Sequence, residues 1–244
     1  MSRDRDTPNG GDEVVSVLRD SAVTVAFPAD DLAEFAEDAM SQGAAQTDDA
    51  SISPADFDTS PALEQALLSQ RQLDEAGDTA VTRDRWTALV ARTETYLAPD
   101  DPFRIRIRMG QLIWLAEEDD DPEAAVAGLG DLARVIDAWP VIHPLAIAVR
   151  RSLGWWRTQA GATTQGMAAL TALVTSLTAA LPSTHPDLVE TERVLAVAHG
   201  ELANPQEAVQ RLRNLLDRLS PFGDETVLEE IRVNLAYWQS QVRD

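Results

Sequence analysis

Between residues 188 and 198, Leu188, Thr191, Leu195 and Ala198 recur in steps of three and four, the spacing that brings side chains onto one face of an α-helix. A second stripe follows directly: Ala208, Val209, Leu212, Leu215, Leu216 and Leu219 share a face over 208–219. Two antiparallel helices of this kind cannot hide both stripes from water by themselves. Stacking one pair on the next buries them, so such helices are expected in series.

The proline positions supply the period of that series. Ser60-Pro61, Asp101-Pro102, His143-Pro144 and His185-Pro186 lie 41, 42 and 42 residues apart. A fixed repeat of this length marks stacked supersecondary units. A second site recurs inside the rows, at Asp121-Pro122 and Asn204-Pro205, 83 residues apart or two periods. Asp and Asn accept hydrogen bonds from the unpaired amides of a helix start, and proline has the backbone angle of the first helical position. Each row therefore predicts a first helix (A), a short turn and a second helix (B).

With these features in view the chain resembles a known family. The stretch Gly223-Asp224-Glu225-Thr226-Val227-Leu228-Glu229-Glu230-Ile231-Arg232-Val233-Asn234-Leu235-Ala236-Tyr237-Trp238 is similar to the helix-A signature of long tetratricopeptide repeats, as in kinesin light chains and bacterial NB-ARC-associated regulators. The 42-residue spacing fits the long form, eight residues above the usual 34. The resemblance implies an all-α solenoid of antiparallel helix pairs over 60–244. Its rows are 60–100, which is degenerate, then 101–142, 143–184 and 185–224, closed by a lone capping helix in 225–244. It also implies tight crossings at Gly154 with Gly166 and Ala196 with Ala208, whereas Ile113, paired with Ala125, departs from the small-residue pattern, so looser packing is expected in the row beginning at 101.

The first 59 residues read differently. They hold 14 acidic against 3 basic residues. Residues 41–60 are small, polar and acidic, with too little apolar surface to offset the entropy of ordering, so a mostly disordered arm or linker is expected there. Apolar clusters interrupt it at EVVSVL and AVTVAF, followed by DDLAEFAEDAM near 30–40, which carries an Asp-capped helical pattern; the clusters read either as a short docking segment or, for DDLAEFAEDAM, as packing on the first helix pair.

Composition narrows the function classes. The chain of 244 residues carries 20 basic residues, all arginine, against 41 acidic ones, a net charge of −21. That field opposes nucleic acid and anionic membrane surfaces. No apolar run approaches the roughly 18 residues of a membrane span, and the N-terminus lacks the pattern of a secretory signal, so a cytoplasmic protein is expected. The absence of cysteine excludes disulfides and thiolate metal sites. His143, His185 and His199 have no ligand spacing among them, there is no phosphate-cradling loop and no nucleophile motif, and the acidic run Glu117 to Asp121 lacks the spaced ligands of a calcium loop. No cofactor, metal or catalytic residue is expected.

One row stands apart electrostatically. Residues 143–184 contain Arg150, Arg151 and Arg157 and no acid, whereas 101–142 hold nine acids and four bases. In the family the concave surface is lined by helix A. Carried over row by row, this places Trp114, Arg151, Trp155, Arg193 and Tyr237 on it as candidate partner contacts. Aromatic and arginine side chains are the commonest hot spots. The expected function is a non-catalytic scaffold or adaptor that takes a peptide or helix of a protein partner, its arginines meeting acidic side chains. The alternative is a sensor or inhibitory subunit of a kinase or NB-ARC-like ATPase, and a homodimer through a solenoid end is a further partner expectation.

Overall fold

The computed structural model describes residues 79–221 and 224–242, and every regular element among them is an α-helix. The acidic arm 1–59 and the first part of row 60–100 lie outside the described residues. Eight helices are described: α1 Thr79–Tyr96, α2 Pro102–Glu118, α3 Pro122–Val135, α4 Pro144–Gln159, α5 Thr163–Ala180, α6 Pro186–Glu201, α7 Pro205–Leu219 and α8 Glu225–Val242. Helices α2, α4, α6 and α8 are the A helices of their rows, and α3, α5 and α7 are the B helices. This is an all-α fold of antiparallel helix pairs, as the 42-residue period predicts.

Local chemistry sets the helix starts. Asp101 sits in extended geometry and accepts hydrogen bonds from the amides of Phe103 and Arg104 at 2.8 and 3.3 Å, with Pro102 at the first position. Asp121 caps α3 through the Ala124 amide at 3.0 Å, Asn204 caps α7 through that of Glu207 at 3.4 Å, and His185 caps α6 through Nδ1 and the Asp187 amide at 3.3 Å. Helix α5 has neither the proline nor a side-chain cap, since Ala162 stands at its N-cap. The acidic run 117–121 is divided between two helices and the reversal that joins them. Glu117 and Glu118 finish α2, Asp119 and Asp120 make the reversal, and Asp121 opens α3.

The A-to-B reversals share a backbone device. Asp120, Gly161 and Ala203 each take a positive φ, of 51, 77 and 57°. They fall 41 and 42 residues apart. The left-handed region is free for glycine but costs an ordinary L-residue on the order of 1 kcal/mol. The rows therefore repeat in main-chain geometry even where the side chain differs.

The described residues fall into two compact units, one ending at Ile136 and the other beginning at Asp137. In the first, α2 packs against α1 and α3. Trp86, Leu89, Val90 and Ile107 form a core cluster with Phe103 and Trp114 against it. In the second, α4 packs on α5 and α6, and α6 also on α5, α7 and α8. The α4–α5 crossing is the closest kind available: a Cβ on Gly166 would fall 2.7 Å from the Gly154 carbonyl oxygen and 2.8 Å from the Thr158 nitrogen. This is the small-residue pair expected at 154 and 166. Ala196 and Ala208, and Ile113 and Ala125, are likewise buried.

Candidate partner-binding face

The five candidate contacts do not share one environment. Trp114, in the first unit, is half-buried and packs on the Trp86 cluster between α1 and α2. In the second unit Trp155 is 9% exposed, Arg151 6% and Arg193 2%. Tyr237 is half-buried and meets Trp238 edge-on, ring centroids 4.7 Å apart. Adjacent aromatics do not divide uniformly into one inside and one outside. Trp155 and Trp156 are both buried, whereas Trp238 is buried next to the partly open Tyr237. A Cβ on Gly200 would lie 2.5 Å from the Trp238 indole, so position 200 receives a side chain from α8.

The charges of successive A helices meet across the stack. Arg193 donates from Nε and Nη2 to both carboxylate oxygens of Glu190, each at 2.7 Å, one turn earlier on α6. A planar guanidinium matches a carboxylate bidentately, and this pair is buried and fully engaged. Burial alone would lower the Arg193 pKa, but the attraction and hydrogen bonds of Glu190, with Glu230 behind them, leave it raised. Arg151, on α4, is different. Its Nη1 lies 4.0 Å from Asp187 Oδ1, beyond hydrogen-bond range, and that buried atom has no hydrogen-bond partner among the described residues. Burial holds its pKa below the ordinary guanidinium value, Glu190 and Asp187 pulling it back and Arg193 adding to the depression.

Stacking thus offsets the positive charge that sets row 143–184 apart. That row contains no acid of its own, but the next row sets Asp187 and Glu190 beside Arg151. On α8, burial raises the Glu230 carboxyl, opposed by Arg193 and reinforced by Glu190. Burial also raises the Tyr237 hydroxyl, with Glu201 adding to it. The order along the A helices is therefore Arg151, then the Glu190–Arg193 pair, then Glu230 and Tyr237. The resulting cluster can recognise polar groups and hold register between helices. Among the described residues no group of three or more His, Asp or Glu side chains is placed to hold a metal ion, and no described helix is long and apolar enough to cross a membrane.

Sequence reasoning missed Glu190 as the partner that closes Arg193. The signal was present, since a Glu three residues before an Arg on one helix lies within reach of it.

Comparisons with known proteins agree with this architecture. No family model matches the chain, and no curated protein matches it. Among solved structures it is similar to the nearly identical TPR-like repeats of a kinesin light chain-type protein from Podosopora anserina, with a TM-score of 0.59 and 18% identity. That match covers 73% of this chain and 86% of the other. A singly substituted form of the same repeats gives a TM-score of 0.60 at 18% identity, covering 73% and 85%. At this identity the likeness establishes the fold: the chain is TPR-like, an all-α solenoid of helix pairs.

Proposed function

We propose that the chain is a non-catalytic interaction scaffold that takes a peptide or helix of a protein partner on the A-helix face of its second unit. A TPR-like fold supports a protein-binding role in general terms, and the polar sequence across α4, α6 and α8 carries the finer reading. Arg151 supplies a buried donor lacking an acceptor among the described residues, which costs on the order of 1–3 kcal/mol in a folded protein, more for a charged group. A partner oxygen placed on it would recover that cost. Trp155 and Tyr237 flank this cluster as large contacts of low conformational freedom. Arg193 has a different part: locked on Glu190, it fixes the face and does not itself meet the partner's acids. Trp114 belongs to the first unit and would serve a separate contact there.

The test uses affinity capture with the intact chain from its native extract, comparing the parent with Arg151→Glu and Tyr237→Ala. A partner held by the parent and lost from both variants, while circular dichroism remains helical, supports the reading. Equal recovery by all three chains would refute it.

A further inference from the structure

Arg151 has negative charge beside it and still lacks an acceptor. Its Nη1 lies 4.0 Å from Asp187 Oδ1, close enough for the carboxylate to offset its charge and too far for a hydrogen bond. Glu190 adds to that attraction, although both of its oxygens already accept from Arg193. On α8, Glu230 interacts with the same Glu190 and Arg193 from the next row. Among the described residues the carboxylates of Asp187, Glu190 and Glu230 therefore stand with the guanidiniums of Arg151 and Arg193, and the buried Nη1 of Arg151 remains without a hydrogen bond. What is missing there is a lone pair, and not a negative charge.

We propose that the partner group received at Arg151 is a neutral carboxamide, the side chain of an asparagine or glutamine, in place of an acid. This choice rests on the partner-binding reading above and names the chemistry of the partner at that one position. A carboxylate entering here would add a negative charge beside Asp187 and Glu190 and would have to shed its own water. It also carries acceptors only. A carboxamide holds an acceptor oxygen and an NH2 donor on one planar group. Its oxygen accepts from Arg151 Nη1, and its amino group donates to Asp187, since a carboxylate can accept from several donors at once. Both groups that face each other across 4.0 Å are then engaged, and the net charge of the cluster is unchanged. The arginines of row 143–184 taken alone favour acidic partner side chains; the carboxylates that the next row brings up remove that preference at Arg151.

The probe is a random dodecapeptide library displayed on phage and selected on the intact chain. Bound peptides are then measured singly against the parent, Arg151→Met and Asp187→Asn chains, with circular dichroism checking that both variants keep the parent's helix content. Peptides that weaken roughly tenfold or more on Arg151→Met are expected to share an asparagine or glutamine. Changing that residue to the matching acid is expected to weaken binding to the parent by a similar factor. This comparison is made on the parent chain and so stands whatever the stability of the variants. On Asp187→Asn, which removes one neighbouring charge, the penalty for the acid is expected to shrink. Arg151-dependent peptides that share an aspartate or glutamate, or share neither kind of residue, or bind no worse when amide becomes acid, overturn the carboxamide assignment and leave Arg151 as a partner contact. An acid penalty undiminished on Asp187→Asn likewise overturns it. A selection that yields no peptide, or only peptides that bind the parent and Arg151→Met alike, removes the partner-binding reading and the assignment together.

Discussion

Alanine at Gly166 separates backbone-limited packing from side-chain packing at the α4–α5 crossing. A Cβ there meets the Gly154 carbonyl oxygen at 2.7 Å, the Thr158 nitrogen at 2.8 Å and Thr158 Cγ2 at 2.6 Å. Two of these three atoms are main chain of the neighbouring helix, so relief requires the helices to part. Overpacking of this kind costs roughly 1–3 kcal/mol, and the gain in helix propensity over glycine returns at most about 1. The expected net loss is about 1–2 kcal/mol, or roughly 2–8 °C in Tm for a chain of this size. Gly154→Ala is the internal control. Its new Cβ meets Leu170 side-chain carbons at 2.8 and 2.9 Å and the Gly166 carbonyl only at 3.6 Å. Only the Leu170 side chain has to give and no main chain, so the cost is expected to be smaller than at Gly166 and to be offset in part by the propensity gain. Urea denaturation followed by circular dichroism measures both variants. Gly166→Ala no less stable than Gly154→Ala would refute backbone-limited contact.

The buried arginines should part company when made apolar. Arg193→Met strands Glu190 in the interior and is expected to cost about 3–5 kcal/mol, whereas Arg151→Met removes a guanidinium whose buried Nη1 has no hydrogen bond among the described residues and should fall within about 1 kcal/mol of the parent; equal denaturation midpoints for the two would count against the assigned pairing. Glu230 has a raised folded-state pKa, so its contribution to stability is fully present below the ordinary glutamate pKa of about 4.3 and is lost as pH rises through the folded value. Glu230→Gln should therefore gain thermal stability relative to the parent between that pH and neutrality, and a pH-independent difference in Tm would argue against the shift.

Much of the fold was legible because its signals are local. Asp101, Asp121 and Asn204 announce their helices through one side-chain cap and one proline each, and both lie within four residues of the helix start. The start of α5 carries no such mark, and only the small residue Gly166 pointed to its crossing. The side-chain contacts of the proposed face were not legible. The Glu190–Arg193 pair lies within one helix, but the nearness of Arg151 to Asp187 arises only when two rows stack. That no residue from 145 to 159 or from 187 to 200 is exposed is likewise a property of assembled neighbours. Periodicity within either helix cannot report it.

The left-handed residues at 120, 161 and 203 imply a rule for how such rows tolerate change. An aspartate, a glycine and an alanine perform one reversal, so this step is carried by the handedness of the main chain, at a modest local cost where the residue is not glycine. Rows that share few residues therefore still make the same turn from the first helix of a pair into the second.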